Sequence, residues 1–223
     1  MNHRNPTAVW RTHGPARRLA ATGLALALAL ILLATPALAA PAAIVDSTPG
    51  TATNNGAVGV GEYVGSTSGI NSGFGNVIGS NSQLHVDSDG RGRLNFGLIT
   101  GGGGYKDAMV IYIDSVAGGF SSTSTFDDTA DGCRRAISGY DGSSRSTLNF
   151  APGFQADYAI CMDTGFAGVW QLAGSGSLPF VTSANRTTTT SGHYEMNLTM
   201  ANLGLAAGGT FKYVATYLNP GNA

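Results

Sequence analysis

The stretch YEMNLTM, residues 194–200, alternates apolar and polar side chains over its whole length. In an extended chain, successive side chains point to opposite faces, so its tyrosine, leucine and two methionines would share one face. The polar residues between them would share the other face. This period of two predicts a half-buried strand of an antiparallel sheet.

Strand patterns recur on the N-terminal side of this segment. The apolar alternations at 84–86 and 94–98 flank the turn-forming run DSDGRG at 87–92 and predict a hairpin. The runs 108–113 and 158–162 are continuously apolar. A strand of that kind has both faces covered, so these two runs are predicted to be central strands.

Shorter patterns predict the remaining elements, namely strands at 169–172, 180–182 and 211–217 and short helices at 133–137 and 200–203. About eight short strands, with turns rich in Gly, Ser and Asn and no alternation of strand and helix, are typical of two antiparallel sheets packed face to face. We therefore predict an all-β fold, a two-sheet antiparallel β-sandwich of jelly-roll type, over residues 73–223. Residues 40–72, rich in Gly, Thr, Ala and Asn, are predicted to form a loose arm or an irregular edge strand.

Residues 1–39 have the layout of a secretory signal peptide. A basic lead precedes the apolar run 19–33, whose roughly fifteen residues fall short of the roughly 20 that a membrane-spanning helix needs. Small residues at positions 37 and 39 predict cleavage after Ala39. The alternative is an uncleaved anchor, which the two prolines nearby disfavour. We expect an extracellular, periplasmic or cell-surface protein with no membrane span after cleavage.

Removal of this leader changes the charge balance. The chain has 12 Lys and Arg and 13 Asp and Glu, but four of the basic residues lie within residues 1–39 and every acidic residue lies beyond residue 45. Eight basic residues then stand against thirteen acidic ones, a net charge of −5. A negatively charged protein is a poor partner for nucleic acid or an anionic membrane surface. Nucleic-acid binding is therefore excluded.

The chain has two cysteines, Cys133 and Cys161, and both lie beyond the leader. In an oxidising compartment the expected outcome is a disulfide, which would close a loop of about thirty residues. The alternative is a pair of free thiols, with Cys161 buried as a small apolar residue.

Five short runs after the leader form a set: GFGN at 73–76, LNFGL at 94–98, VIYIDS at 110–115 with GGF at 118–120, GFQADYA at 153–159 and GVWQL at 168–172. They resemble a group of uncharacterised secreted bacterial β-sandwich domains. In that group a central strand ends in Asp-Ser or Asp-Thr followed by Gly-Gly, and a later Gly-Phe-x-x-Asp-Tyr opens another strand. The group is similar in outline to carbohydrate-binding and surface modules, so the resemblance implies such a fold, export and a surface role. Its members usually continue beyond the last strand seen here, so the end at Ala223 leaves open a truncated gene or a protein without an anchor.

Catalytic residues are scarce. The only histidines after the leader, His85 and His193, lie in predicted strands, and there is no Gly-x-Ser-x-Gly elbow. A glycosidase needs two carboxyl groups beside the scissile bond, and Asp114, Asp157 and Asp163 at the ends of predicted core strands are the candidates. Aspartates at strand ends more often accept turn hydrogen bonds. We therefore predict no catalysis and keep a small secreted hydrolase as the alternative.

Two groups of aspartates carry the oxygen ligands that calcium prefers. They are Asp127, Asp128 and Asp131, and separately Asp87 and Asp89. Neither group has the full calcium loop with its distal glutamate. A structural calcium ion at the first group is a candidate, and no other cofactor is predicted.

Aromatic side chains are candidate ligand-binding residues, because sugar rings stack on aromatic faces. Trp170 is the first candidate, with Tyr105 and Tyr140 as loop-borne seconds that we expect to be exposed. The alternative for Trp170 is a core position in a short strand. We predict a secreted surface or matrix interaction module that binds a polysaccharide or a cell-surface component. The alternatives are a glycosidase-like hydrolase and a structural envelope protein.

Overall fold

The structure is a computed structural model that describes residues 42–45, 50–63, 65–68, 75–79 and 81–221. The predicted signal peptide lies outside the described residues. All described residues belong to one compact unit, Ala40–Ala223. Within those ranges, no helix has the length and apolar character needed to cross a membrane.

The described residues form eleven strands, β1 (Ala42–Val45), β2 (Gly65–Ser68), β3 (Gln83–Ser88), β4 (Arg93–Ile99), β5 (Ala108–Asp114), β6 (Tyr158–Met162), β7 (Ala167–Gln171), β8 (Phe180–Ser183), β9 (Asn185–Thr187), β10 (His193–Thr199) and β11 (Thr210–Leu218). All pairings are antiparallel. One sheet has the order β1-β11-β5-β6-β7-β8 and the other the order β2-β3-β4-β10-β9. The predicted all-β sandwich of two antiparallel sheets is confirmed.

The main core lies between the two sheets. Alternate residues of β5, Met109, Ile111 and Ile113, join Phe96 and Leu98 of β4 in one buried cluster. Because the side-chain period of a strand is two, the other residues of β5 must face away from this core.

A second core covers the outer face of the six-stranded sheet. Val110 and Tyr112 of β5 and Cys161 of β6 belong to a buried cluster with Phe126 and Ile137, which come from the segment between these two strands. The prediction that β5 and β6 are central strands covered on both faces is therefore confirmed. This segment adds a third layer of loops and a short helix.

The helix in this layer is α1 (Gly132–Ser138), and a 3-10 helix spans Met200–Leu203, so both predicted helical sites are confirmed. At the start of α1, Asp131 Oδ1 accepts a hydrogen bond from the backbone N–H of Arg134 at 2.9 Å. The predicted disulfide is also confirmed, since Cys133 of α1 is bonded to Cys161 of β6 with their Cα atoms 5.7 Å apart. The helix is thus covalently fixed to the middle of the sheet.

β3 and β4 form the predicted hairpin. Asp89 Oδ1 accepts hydrogen bonds from the backbone N–H groups of Arg91 and Arg93 at 2.8 and 2.9 Å. Gly90 and Gly92 have φ of 65° and 100°, which other residues rarely adopt. The turn chemistry of this run therefore determines where the chain reverses.

Residues 50–63 lie against the five-stranded sheet through Glu195 of β10. The local alternation placed Glu195 on a polar strand face, yet its side chain is fully buried, with 0% exposure. Its Oε2 accepts hydrogen bonds from the backbone N–H groups of Asn55, Gly56 and Ala57 at 3.0, 2.6 and 3.1 Å. A distant segment therefore supplies the donors that make burial of this carboxyl group tolerable.

Two more contacts hold this segment in place. The hydroxyl group of Tyr63 donates to Glu195 Oε1 at 2.6 Å, and the backbone N–H of Val58 donates to His193 Nδ1 at 3.0 Å. Burial raises the pKa of Tyr63, and the hydrogen bond to Glu195 raises it further. In β4, a Cβ atom on Gly97 would lie 2.8 Å from Val58 Cγ2, so the segment approaches the sheet backbone closely.

Candidate functional site

The three aspartates proposed for a glycosidase do not gather at one end of the sandwich. Asp114 ends β5 and Asp157 precedes β6, and these strands pair antiparallel, so the two residues are neighbours. Asp163 follows the other end of β6. At a rise of about 3.3 Å per residue, it lies roughly 20 Å from Asp157. The three candidate aspartates of the hydrolase alternative therefore do not form one cluster.

The remaining pair of carboxyl groups is engaged in strand-end contacts. Asp157 Oδ2 accepts hydrogen bonds from the backbone N–H groups of Ser115 and Val116, both at 2.9 Å. Burial raises the pKa of Asp157, and the two backbone hydrogen bonds lower it. The negative charge of Asp114 raises the pKa further. Asp114 Oδ2 itself lies 3.3 Å from Lys212 Nζ in an ion pair. These contacts are those of turn aspartates.

The aspartates proposed for calcium also have protein partners. Asp128 Oδ2 accepts a hydrogen bond from the backbone N–H of Leu178 at 2.7 Å. The same oxygen lies 3.1 Å from Arg134 Nε in an ion pair, but the Nε–H group is not aligned for a hydrogen bond. Asp131 caps α1 and pairs with Arg134, and Asp127 accepts a backbone hydrogen bond. In the described part of the chain, no three acidic, histidine or cysteine side chains are grouped to hold a metal ion.

Of the two tyrosines proposed for ligand binding, one is buried and the other is half-buried. Tyr105 is buried, with 7% exposure. Its hydroxyl group donates to the carbonyl of Met162 and accepts from the backbone N–H of Met109 at 3.1 Å. Tyr140 is half-buried, and the guanidinium carbon of Arg145 lies 4.4 Å from its ring centroid. The expectation of an exposed ring is therefore wrong for Tyr105, and Tyr140 has one face occupied by a cation.

Trp170 takes the core position that the alternative interpretation predicted. Its side chain is 2% exposed and belongs to the outer core of the six-stranded sheet. The guanidinium carbon of Arg134 lies 5.6 Å from the centroid of its ring. Its indole Nε1 is buried without a hydrogen-bond acceptor among the residues that the structure describes.

Two exposed aromatic rings flank Trp170. Phe166 is 37% exposed and Phe180 is 47% exposed, and no other aromatic residue in the described ranges is a large exposed apolar side chain. The ring centroid of Trp170 lies 6.1 Å from that of Phe166 and 5.5 Å from that of Phe180. The ring centroids of Phe166 and Phe180 are 6.3 Å apart, so the three rings form one cluster in which the two phenylalanines are exposed and Trp170 is buried.

Strand geometry explains how these rings meet. Gly168 and Trp170 are two residues apart and therefore share a face of β7, and Phe166 immediately precedes the strand. Phe180 is paired with Trp170 across the β7–β8 ladder. Gly168 lacks a side chain and leaves room for the rings on either side of it.

The rings line an open cleft of about 480 Å³ at the edge of the six-stranded sheet. We call it the aromatic cleft, and its lining residues are Asp131, Gly132, Cys133, Arg134, Asp163, Phe166, Trp170 and Phe180. The start of α1 supplies one wall and the β6–β7 turn supplies Asp163. The disulfide fixes α1 to β6 beside the cleft, because Cys161 of β6 is paired with Gly168 of β7.

The edge strand beside the cleft is irregular. Val169 is paired with Thr182 and Trp170 with Phe180, so Val181 is an extra residue in β8. A bulge of this kind twists an edge strand and interrupts its row of hydrogen-bonding groups.

Two other clefts contain residues proposed from the sequence. One of about 620 Å³ is lined by Asp114, Lys212 and the loop 150–155, but Asp157 is not part of its lining. Another of about 350 Å³ includes Tyr105 beside His193. Neither has an exposed aromatic ring comparable to Phe166 or Phe180.

No protein-family model, curated protein or solved structure matches this chain.

Proposed function

We propose that the protein is an exported, non-catalytic binding module that holds a saccharide in the aromatic cleft. The observation that carries this proposal is the exposure of Phe166 and Phe180 around the buried Trp170. Exposed aromatic rings grouped on a surface mark binding sites more often than chance. The apolar faces of sugar rings pack on aromatic rings, and polar side chains at the rim orient the hydroxyl groups.

The rim of the cleft provides such polar side chains. Arg134 is held by ion pairs to Asp128 and Asp131, so its guanidinium group is positioned before any ligand arrives. Asp163, in the β6–β7 turn, also lines the cleft and has a carboxylate that accepts hydrogen bonds. A rim that offers both donors and acceptors suits the hydroxyl groups of a sugar.

Export is part of this proposal. Besides the predicted signal peptide, it is supported by the disulfide, since such bonds persist mainly in oxidising compartments. The test is mass spectrometry of the protein recovered from the medium or periplasm. A chain that begins at Ala40 is expected, whereas a chain that keeps residues 1–39 in the cell would contradict export.

A peptide ligand that adds a strand to β8 is the competing occupant of this surface. Strand addition needs a regular row of free backbone groups at the sheet edge. The bulge at Val181 interrupts that row, and β8 has only four residues. We therefore favour a saccharide over an extended peptide.

The hydrolase alternative receives less support. Its carboxyl pair, Asp114 and Asp157, accepts hydrogen bonds from backbone N–H groups, and Asp114 also pairs with Lys212. Neither residue lines the aromatic cleft.

The test is retention of the protein on cellulose, xylan and chitin, with release of reducing ends followed in the same samples. Phe166→Ala and Phe180→Ala are expected to lose retention on the bound polysaccharide. The control variant, Val116→Ala, removes a comparably exposed apolar side chain outside the aromatic cleft and is expected to retain polysaccharide binding. Trp170 and Tyr105 are unsuitable for this test, because they are buried and their truncation would destabilise the fold.

Three outcomes would contradict the proposal. Release of reducing ends that Asp114→Asn abolishes would establish the hydrolase instead. Retention that survives in both phenylalanine variants would place the site elsewhere. No retention on any of the polysaccharides would favour the structural envelope protein.

A further inference from the structure

The charges at the aromatic cleft are not balanced. Arg134 is the cation of its lining, and two carboxylates already compensate it. One of them, Asp128, is almost completely buried behind it, with a side-chain exposure of 5%. Asp163, which also lines the cleft, takes part in no ion pair with the residues that the structure describes. The cleft therefore carries a net negative charge.

Asp163 has one carboxylate oxygen available. Its Oδ1 accepts hydrogen bonds from the backbone N–H groups of Gly165 and Phe166 at 2.8 and 2.7 Å. These bonds fix the turn that carries Phe166, and Asp163 and Phe166 both line the aromatic cleft. Its Oδ2 has no hydrogen-bond donor in the described ranges, so a ligand can use it.

A carboxylate and aromatic rings that line one cleft suit a positively charged ligand. The face of an aromatic ring attracts cations, and the carboxylate adds a charge-assisted hydrogen bond. The net charge of −5 beyond the predicted leader acts in the same direction, because it repels anionic polymers.

We propose that the aromatic cleft selects saccharides that carry a protonated amino group, with Asp163 Oδ2 as the acceptor for that group. Acetylation of the amine removes its charge, and a uronic acid presents a charge of the wrong sign. This inference rests on the proposed saccharide site and adds the chemical class of the sugar.

The test is calorimetric titration with hexamers of glucosamine, N-acetylglucosamine and galacturonic acid, in mildly acidic buffer that keeps the glucosamine amines charged. The glucosamine hexamer is expected to bind about fivefold more tightly than the acetylated hexamer, as for one partly exposed charge-assisted hydrogen bond. The galacturonic acid hexamer is expected to bind more weakly than either. Added salt should reduce the preference, because it screens exposed charges.

Asp163→Asn is the decisive variant. Its amide oxygen can keep the two turn hydrogen bonds, so Phe166 stays in place while the charge is lost. We expect Asp163→Asn to bind the glucosamine hexamer only as tightly as the N-acetylglucosamine hexamer. Its affinity for the acetylated hexamer should hardly change. The matched control is Asp141→Asn, because Asp141 Oδ1 also accepts backbone hydrogen bonds in a turn, from Ser143 and Ser144. That control is expected to keep the fivefold preference.

Two results would overturn the inference and leave the saccharide site intact. The first is equal binding of the glucosamine and N-acetylglucosamine hexamers to the unaltered protein. The second is an equal loss of glucosamine binding in Asp163→Asn and Asp141→Asn, since the effect would then come from net charge alone. If none of the three hexamers binds, the proposed saccharide site itself fails.

Discussion

The backbone of Gly168 lies directly against the ring of Phe166. A Cβ atom built on Gly168 would be 2.7 Å from Phe166 Cε1, closer than such atoms normally approach. The same Cβ atom would be 3.1 Å from Cε2 of Phe180. The positions of both exposed rings thus depend on the absence of a side chain at residue 168.

The first prediction concerns Gly168→Ala. We expect the added methyl group to push both rings from their positions and to weaken saccharide binding about three- to tenfold, the range of one aromatic stacking contact. Unfolding free energy should change by only about 1 kcal/mol or less, because the contacted atoms belong to exposed rings that can move and alanine restricts the unfolded chain. Calorimetry and urea denaturation measure the two effects.

The control for this variant is Gly104→Ala. A Cβ atom on Gly104 would have its nearest neighbour, Lys106 Cε, at 3.7 Å, an ordinary contact distance. We expect its binding and stability to match those of the unaltered protein. Unchanged binding in Gly168→Ala would show that the rings do not form the binding surface.

The second prediction concerns the disulfide between Cys133 and Cys161. Its closed loop spans a sequence separation of 28 residues, and both cysteines are buried. For a loop of this size, chain-entropy models give about 3–4 kcal/mol of stabilisation. Urea denaturation of Cys133→Ser/Cys161→Ser should show a loss of that order, and a reducing agent should lower only the stability of the unaltered protein. A change below about 1 kcal/mol would contradict the prediction.

The third prediction concerns the buried carboxylate of Glu195. Glu195→Gln places an amide group among three backbone N–H donors and Tyr63, so at least one donor loses its acceptor. We expect a loss of about 3 kcal/mol or more, because these hydrogen bonds involve a charged, buried group. Limited proteolysis should then cut within 50–63.

Tyr63→Phe provides the smaller, matched change. It removes one hydrogen bond to Glu195 and leaves the three backbone bonds, so a loss of about 1–2 kcal/mol is expected. Equal resistance of all three proteins to proteolysis would mean that Glu195 does not hold the segment.

The fourth prediction concerns alkaline pH. Burial raises the pKa of Tyr112, and its hydroxyl group donates to the carbonyl of Ile137 at 2.8 Å. Below about pH 10, Tyr112 is protonated in both the folded and the unfolded state, so its full contribution to the unfolding free energy is present. Above that pH, only the unfolded chain releases the proton, so stability must fall as pH rises. Burial raises the pKa of Tyr63, Tyr105 and Tyr217 as well.

Urea midpoints measured across the alkaline range test this. Tyr112→Phe should lower stability at neutral pH, since it loses one hydrogen bond. Above about pH 10, the unfolding free energy of this variant should fall less steeply than that of the unaltered protein, by up to about 1.4 kcal/mol per pH unit. Parallel declines in both proteins would refute the assignment to Tyr112.

The elements that could be predicted from the sequence are those whose residue patterns lie within one short stretch of the chain. The β3–β4 hairpin follows from alternation on both sides of a turn run in which Asp89 accepts its own turn hydrogen bonds. β5 and β6 follow from continuous apolar runs, since only a sheet covered on both faces needs them. By contrast, β9, Asn185–Thr187, is made of polar residues and carries no apolar pattern.

The features that sequence reasoning missed depend on contacts between distant residues. Glu195 is buried because the segment 55–57, about 140 residues earlier, supplies its donors. Phe166 and Phe180 meet across a β7–β8 pairing that contains a bulge, and a bulge shifts which residues share a face. Trp170 was the first ligand-binding candidate from the sequence, but its side chain is buried in the outer core of the six-stranded sheet.

The most direct test of the saccharide site is the fluorescence of Trp170. The chain has two tryptophans, Trp10 and Trp170, and Trp10 precedes the predicted cleavage site, so in a protein that begins at Ala40 all tryptophan emission comes from Trp170. Because the ring of Phe180 lies 5.5 Å from that of Trp170, a sugar that packs on Phe180 alters the surroundings of the indole. Titration with a glucosamine hexamer is expected to give a saturable shift in emission that Phe180→Ala abolishes. Hexamer binding by calorimetry with no change in Trp170 emission, and with undiminished affinity in Phe180→Ala, would contradict the account.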